Sequence, residues 1–198
     1  METPVETLQH LLVHLAGVLP ADASPLLDLT RPVSIDAHEI YIREGETNRK
    51  VAFIEQGIIR AYAIKDRGDE STLFLRWEGQ IIASHDCIIH GKPSRFIYQA
   101  LEPATLLEID YDALEKTLKI HPGYEPLRNF FLMQMLSDSL KSIESFVTQS
   151  PEERYRSLIA ERIDLVNRVP DKYIASMLGI TPVSLSRIRR RINTKGRS

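Results

Sequence analysis

The stretch from Val169 to Ile192 constrains the fold of this chain more than any other segment. It predicts two short helices joined by a tight turn. Gly179 follows the first helix, where a C-cap favours a residue that takes positive φ without strain. Thr181 is suited to cap the second helix, and Pro182 fits its first position, which needs no amide donor. Apolar residues recur at helical spacing on the inner sides, namely Ile174, Ala175, Leu178, Leu185, Ile188 and Ile192.

The outer side of the second predicted helix carries hydroxyl and guanidinium groups. An apolar back with hydroxyls and arginines in front is what a helix needs to enter the major groove of DNA. We therefore predict that this hairpin binds double-stranded DNA. An ordinary helical hairpin with a solvated basic face is the alternative interpretation. The residues predicted to contact DNA are Thr181, Val183, Ser184, Ser186, Arg187, Arg189, Arg190 and Arg191.

The charge of the chain is divided unevenly, although the net charge is only −2. From Pro151 onward there are eleven lysines and arginines against five acids, a balance of +6. The first 150 residues hold fourteen against twenty-two, a balance of −8. Such asymmetry is expected when a basic DNA reader is attached to a domain that does not touch DNA.

The N-terminal part of the chain predicts many short strands. A short amphipathic helix is expected over residues 5–19. A second short helix is expected over 23–29, with Ser24 as cap and Pro25 at its first position. From Arg31 the pattern becomes extended, with turn residues every eight to twelve positions or so, which favours a β-sandwich or jelly roll. Strands are expected around residues 35–42, 51–64 with a pivot at Gly57, 71–77, 81–83, 96–100 and 104–109.

A short helix over 111–120 precedes a long one over about 125–149. The long helix is apolar on more than one stripe, so it has more than one surface to bury. One stripe can pack against the β-domain, and the other can pair with the same stripe of a second chain. A single well-buried core helix is the alternative. The stripe predicted to pair two chains is Leu132, Leu136, Leu140, Ile143 and Val147.

Ser150-Pro-Glu-Glu153 repeats a helix-start pattern of cap, proline and acids. We expect the helix that follows to continue to about Val166 and to pack behind the DNA-reading hairpin. The fold class is therefore α+β, with a jelly-roll domain over residues 1–124, a dimerisation helix over 125–149 and a helix-turn-helix domain over 150–198.

Other classes of function are disfavoured. One cysteine excludes an internal disulfide and a multi-cysteine metal cluster. His85, Asp86, Cys87 and His90 lie close together, but no second ligand pair stands at motif spacing, so we expect a loop and no metal site. No Gly-rich phosphate loop or G-x-S-x-G elbow points to an enzyme. Without a signal peptide or membrane-length apolar run, a soluble cytoplasmic protein is expected.

Four stretches carry a resemblance to a known family: Val169–Arg189, Arg43–Glu46, Phe53–Arg60 and Ser150–Tyr155. With the order of parts, the chain resembles the Crp/Fnr transcription regulators over nearly its whole length. The resemblance implies a cyclic-nucleotide-binding-type jelly roll, a dimerisation helix, a homodimer that reads two-fold DNA sites, and RNA polymerase as a further partner. It also implies that Arg187 is the base-reading arginine.

The chain departs from the members that bind cyclic AMP. Those members have a Gly-Glu pair that holds the ribose, followed later by Arg-Ser/Thr-Ala, whose arginine holds the phosphate. Here Ala83-Ser84 replaces the pair, Asp86 is the nearest acid, and Arg95 is followed by Phe96. An effector pocket would therefore involve Ser84, Asp86, Arg95 and Phe96. Cyclic AMP is not expected to fill it, and an unknown small-molecule effector stays open.

Three further departures concern sensing and DNA reading. The N-terminal cysteine cluster of the oxygen-sensing members is absent, so no iron–sulfur sensor is expected. Val183 stands where well-known members have an acid, and valine contacts a thymine methyl rather than cytosine N4. We expect a changed operator. The six residues after Ile192 are too few for the β-hairpin wing that members usually add. A signalling module whose helical tail contacts another protein is the alternative function.

Overall fold

The computed structural model describes residues 20–195. The helix predicted over residues 5–19 lies outside the described residues. The first described helix, α1, spans Pro20–Leu27, so the predicted start at residue 23 was wrong. Pro25 lies inside this helix rather than at its first position. Proline removes only its own amide donor and the helix can continue past it, as the bond from Asp28 N to Ser24 O at 2.9 Å shows.

The β-domain consists of two four-stranded sheets, in agreement with the predicted jelly-roll class. One sheet has the order β1-β8-β3-β6 and the other β2-β7-β4-β5. The pairs of β1 with β8, β3 with β8, β3 with β6 and β2 with β7 are antiparallel. The strands are β1 (Arg31–Ile35), β2 (Ile40–Ile42), β3 (Lys50–Gln56), β4 (Ile59–Ile64), β5 (Glu70–Arg76), β6 (Ile81–Ala83), β7 (Ile97–Ala100) and β8 (Ala104–Asp110).

Gly57 makes the predicted pivot between β3 and β4. Its φ is +101°, a region that side chains rarely adopt. A Cβ at this position would lie 2.7 Å from the Cβ of Ala104. Glycine is therefore required both by the backbone conformation and by the close approach of β8.

Helices cover one side of the β-domain. After β8 come α3 (Tyr111–Ile120), a 3₁₀ turn (Pro122–Tyr124) and α4 (Glu125–Thr148). Asp110 caps α3 by accepting a hydrogen bond from Ala113 N at 2.8 Å. A buried apolar cluster joins these helices to the sheet, and its members are Leu26, Phe53, Leu107 and Tyr124 with the partly buried Leu27, Ile81, Leu114, Leu118 and Phe131.

The loop predicted around residues 85–90 is a helix, α2 (His85–His90), so that prediction was wrong. The Ser84 hydroxyl accepts from Cys87 N at 3.5 Å at its start. Gly91 ends it with φ +61°. A helix of six residues is too short to show apolar periodicity, which explains why the sequence did not reveal it.

The helix that starts after Ser150 is shorter than predicted. It forms α5 (Pro151–Glu161), and a separate turn, α6 (Leu165–Arg168), follows. Arg162 ends α5 with φ −148°. The Asp164 carboxylate then accepts from Arg162 at 2.7 Å and from Arg168 at 3.0 Å, which stabilises the break. These arginines hold the pKa of Asp164 well below its ordinary value.

The remaining helices are α7 (Asp171–Met177) and α8 (Pro182–Lys195). The chain divides into two compact units, of which the first comprises the described residues up to Ala61 and Leu75–Leu136. The second comprises Tyr62–Phe74 and the described residues from Ser137 onward. Within it, Thr72 N donates to Ser176 Oγ at 2.9 Å. No helix of the described residues is both long and apolar enough to cross a membrane.

Candidate nucleic-acid interface

The turn between α7 and α8 has the geometry that the sequence predicts. Gly179 adopts φ +72° directly after α7. The Thr181 hydroxyl accepts from Ser184 N at 3.2 Å and so caps α8. Its oxygen also lies 3.0 Å from Ser184 Oγ, so these two hydroxyls are engaged with each other. The side chains buried between the helices are Ile174, Ala175, Leu178, Leu185 and Ile188.

The outer face of α8 is defined by the exposed Val183, Ser186, Arg187, Arg190 and Thr194. Val183 is 62% exposed, so its apolar side chain is accessible on this face. Spacings of three and four residues place these side chains along one side of the helix. Among the side chains that the structure describes, no acid pairs with the guanidinium of Arg187 or of Arg190.

Arg189 is placed differently from the other arginines of α8. It is half-buried, and its Nε donates to the Tyr155 hydroxyl at 2.9 Å. Its Nη1 lies 2.7 Å from a carboxylate oxygen of Asp171. Arg189 therefore ties α8 to α5 and α7 instead of projecting outward.

Arg191 is exposed but also has an acidic partner, since its Nε lies 3.1 Å from Glu152 Oε2. Together with Arg187, Arg190 and Thr194 it lines a shallow depression on the surface of α8. The exposed guanidinium groups on this face of α8 favour phosphate oxygens or the acceptor atoms of base edges.

The apolar stripe predicted for dimerisation is exposed in the single chain. Leu140 is 57% exposed and Val147 is 78% exposed, although both lie on a long helix. Leaving several large apolar side chains of one helix in water is unfavourable by roughly 25 cal/mol per Å² of apolar surface. The exposed members of the predicted stripe are Leu132, Leu136, Leu140, Ile143 and Val147.

The predicted effector positions form an internal ion pair. Asp86 is buried, and its carboxylate accepts from Arg95 N at 3.0 Å and from Arg95 Nε at 3.0 Å. Arg95 Nη2 lies 2.9 Å from the same carboxylate. These hydrogen bonds from Arg95 hold the pKa of Asp86 below its ordinary value. The Arg95 side chain is 74% exposed and lies over the Phe96 ring at 5.5 Å.

These residues do not fit a cyclic nucleotide. Ser84 is buried and its hydroxyl caps α2, so it cannot replace an acid that holds a ribose. Asp86 and Arg95 already satisfy each other, and the Tyr98 hydroxyl donates to Ala83 O at 3.0 Å. A phosphate on Arg95 would have to compete with a carboxylate that is held by three donors.

The cluster around Cys87 shows no metal-binding geometry. Cys87 is buried and its thiol donates to Glu46 O at 3.2 Å. Burial lowers the pKa of His85. In the described part of the chain, no group of three or more His, Cys, Asp or Glu side chains could hold a metal ion.

Sequence reasoning missed the residues that contact α7 and α8 on the side opposite the candidate interface. Glu152, Arg154 and Tyr155 lie on α5, and Asp171 begins α7. Tyr155 and Arg189 are 34 positions apart, so no local spacing relates them. The only available signal was the cap pattern at Ser150, which located the helix but not its partners.

The comparisons with known proteins agree with this architecture. Residues 32–121 match the family model for the cyclic nucleotide-binding domain. Electron transport regulator A of Shewanella oneidensis is 23% identical over 186 residues, a match that covers 85% of this chain and 71% of that protein. The resemblance to the Crp/Fnr regulators is confirmed.

Two further relatives extend the comparison. Regulatory protein HlyX of Actinobacillus pleuropneumoniae is 25% identical over 119 residues, which cover 60% of this chain and 47% of that protein. The solved structure of FixK2 from Bradyrhizobium japonicum has a TM-score of 0.71 at 17% identity, covering 84% of this chain and 86% of that one. At that identity the structural likeness shows the fold alone.

Proposed function

We propose that this chain is a transcription regulator that binds double-stranded DNA through α8. The observation that carries the proposal is the outer face of α8, where Arg187 and Arg190 are exposed on a helix whose back is buried. Cationic side chains that are not engaged by the protein's own acids can neutralise phosphates or donate to base edges. The similarity to regulatory proteins supports the same conclusion.

In this proposal, some of the exposed residues contact bases and others contact phosphates. Arg187 is suited to bidentate donation to guanine O6 and N7, and Val183 is suited to a thymine methyl group. Arg190 is suited to a phosphate, and Arg191 joins it if its ion pair with Glu152 opens. Arg189 holds α8 against α5 and α7 through Tyr155 and Asp171, so in this proposal it does not contact DNA.

The protein acts as a homodimer in this proposal. Exposed apolar residues from Leu132 to Val147 recur at spacings of three and four, as in a helix pair. Two parallel copies of α4 would remove this stripe from water and would carry both α8 helices at the same end of the pair. Each α8 would then read one half-site, with half-sites about one helical turn of DNA apart.

The regulator is not controlled by cyclic AMP in this proposal, because Asp86 satisfies Arg95 and Ser84 caps a helix. Another small-molecule effector is compatible with the fold. A contact with RNA polymerase and a cytoplasmic location remain predictions from the resemblance.

Selection from a pool of random duplexes tests the proposal directly. The purified full chain is incubated with the pool in the presence and absence of cyclic AMP, and the retained sequences are determined. We expect a two-fold motif whose half-sites are about one turn apart and that is the same in both conditions. Retention of no motif would contradict DNA reading and favour a signalling module that contacts another protein.

A further inference from the structure

The junction between α4 and α5 is short and is held by hydrogen bonds. Only Gln149 and Ser150 separate the two helices. Ser150 N donates to Glu153 Oε2 at 2.7 Å, and Glu153 N donates to Ser150 Oγ at 3.3 Å. The bond from Ser150 N, together with one from the Ser150 hydroxyl to Glu153 Oε2 at 2.7 Å, holds the pKa of Glu153 below its ordinary value. A reciprocal capping box of this kind fixes where α5 starts.

Arg154 connects this junction to the turn of the DNA-reading hairpin. Its Nη1 donates to Gln149 O at 2.7 Å, just after α4 ends. Its Nη2 donates to Leu178 O at 2.8 Å, at the end of α7. The guanidinium also lies over the Phe146 ring of α4, 4.5 Å from its centroid. One side chain therefore contacts the ends of two helices at once.

The chemistry of this contact favours arginine specifically. The last carbonyl groups of a helix lack intrahelical donors and carry the negative end of the helix dipole. A planar guanidinium can donate to two such carbonyls while stacking on an aromatic ring, whereas an ammonium is a single point charge. The approach is close, since a Cβ at Gly179 would lie 3.3 Å from Phe146 Cε1.

We propose that Arg154 is a positioning residue that fixes the orientation of α7 and α8 relative to the C-terminal half of α4. Because the stripe on α4 is the proposed dimer contact, the same orientation sets the distance between the two α8 helices. Arg154 therefore sets the spacing of the half-sites that the dimer accepts. This inference rests on the proposed function, while the orientation itself can be measured without DNA.

The first test measures the orientation. Spin labels are attached at Lys141→Cys on α4 and Lys172→Cys on α7, two exposed positions, while the buried Cys87 is left in place. Labelled chains are diluted into unlabelled protein so that distances within one chain are recorded. We expect a narrow distance distribution for the parent, a broad one for Arg154→Lys and Arg154→Gln, and a narrow one for Arg156→Lys. Arg156 is the matched control because it lies on the same helix and bonds to Glu152 on that helix. A distribution as narrow in both Arg154 variants as in the parent would overturn the proposal.

The second test measures the spacing. Affinities are determined for an isolated half-site, for the two-fold duplex with the selected spacing, and for duplexes whose spacing is one base pair longer or shorter than the selected one. The preference is the ratio of the affinity for the best-spaced duplex to that for a duplex with altered spacing. We expect Arg154→Lys to reduce this ratio about tenfold and to leave the affinity for the half-site unchanged. Arg156→Lys should keep the preference. An equal loss on half-site and full site would overturn the positioning role. If the parent chain binds no duplex, the proposed function fails, and the distance measurement alone then decides the role of Arg154 in orientation.

Discussion

Two regions of the molecule present arginines where the sequence suggested a ligand, and they differ in what the arginines contact. On α8, Arg187 and Arg190 are exposed, and no acid among the described side chains pairs with them. Beside α2, Arg95 is bound to the buried carboxylate of Asp86 through three donor groups. The first region keeps its charge available, and the second uses its charge internally.

The difference teaches that a basic residue at a plausible position is not by itself a binding residue. Charge-assisted hydrogen bonds within the protein must be broken before an arginine can hold an external anion, and breaking them costs free energy. Arg187 and Arg190 have no such cost. Arg95 and Arg189 do, because each is bonded to an acid of the same chain.

The largest effect is expected from a substitution that separates the two chains of the proposed dimer, and with them the two copies of Arg187 and Arg190. Leu140→Glu places a charge in the middle of the exposed stripe on α4, and a buried unpaired charge is strongly unfavourable. We expect the dissociation constant of the dimer to rise more than about 100-fold, which corresponds to about 3 kcal/mol. Sedimentation across a range of protein concentrations measures the change.

The adjacent Lys141→Glu is the control for Leu140→Glu. Lys141 is exposed but does not share the three-and-four spacing of the stripe, so this variant should remain a dimer. An intact dimer in the Leu140 variant would place the interface elsewhere.

A smaller effect is expected from Arg187→Ala, which removes one of the two arginines of α8 that no described acid pairs with. Loss of a bidentate contact to a base should reduce affinity by about 1–3 kcal/mol and relax the preference at one base position. Titrations against the selected site and its single-base variants measure both quantities. Equal weakening on every sequence would instead assign Arg187 to a phosphate.

The smallest effect is expected at the ion pair between Asp86 and Arg95. Asp86→Asn should lower the free energy of unfolding by about 1–2 kcal/mol at pH 7, because a buried charged acceptor is lost. The pKa of Asp86 is depressed in the folded state, so its stabilising contribution is present above about pH 4 and is lost as the pH falls through the folded pKa. The difference between parent and variant should therefore shrink on acidification.

Urea unfolding at several pH values measures the effect of Asp86→Asn. The control is Asp112→Asn, which breaks the exposed ion pair with Arg49 and should cost less than about 1 kcal/mol. Equal effects of the two substitutions would show that the contact of Asp86 with Arg95 is no stronger than an ordinary surface pair.

Local signals in the sequence predicted the fold well. Gly57 and Gly179 mark turns with positive φ, and Ser150 marks a helix start, because turn conformation and helix capping depend on neighbouring residues. The close approach of Ala104 to Gly57 is a long-range contact that the sequence did not reveal. The helix from His85 to His90 was missed because six residues carry too little periodicity. The jelly-roll class follows from many short strands, whereas strand order depends on long-range pairing that a single sequence does not display.

The candidate site was predicted less completely than the fold. The sequence located α8 and its arginines but could not distinguish those that are available from those that are engaged. Arg189 contacts Tyr155 and Asp171, and Arg95 contacts Asp86 across a helix and a loop. Such partners are brought together by tertiary packing, so residue type and spacing alone do not identify them.

The salt dependence of DNA binding tests the central claim most directly. Log affinity should fall linearly with log salt concentration, with a slope of about −0.9 for each phosphate contacted. Arg190→Ala should make the slope shallower by about one phosphate contact, whereas Arg95→Ala, which removes the same charge elsewhere, should leave it unchanged. An affinity independent of salt, or equal flattening by both substitutions, would contradict the distinction between available and engaged arginines.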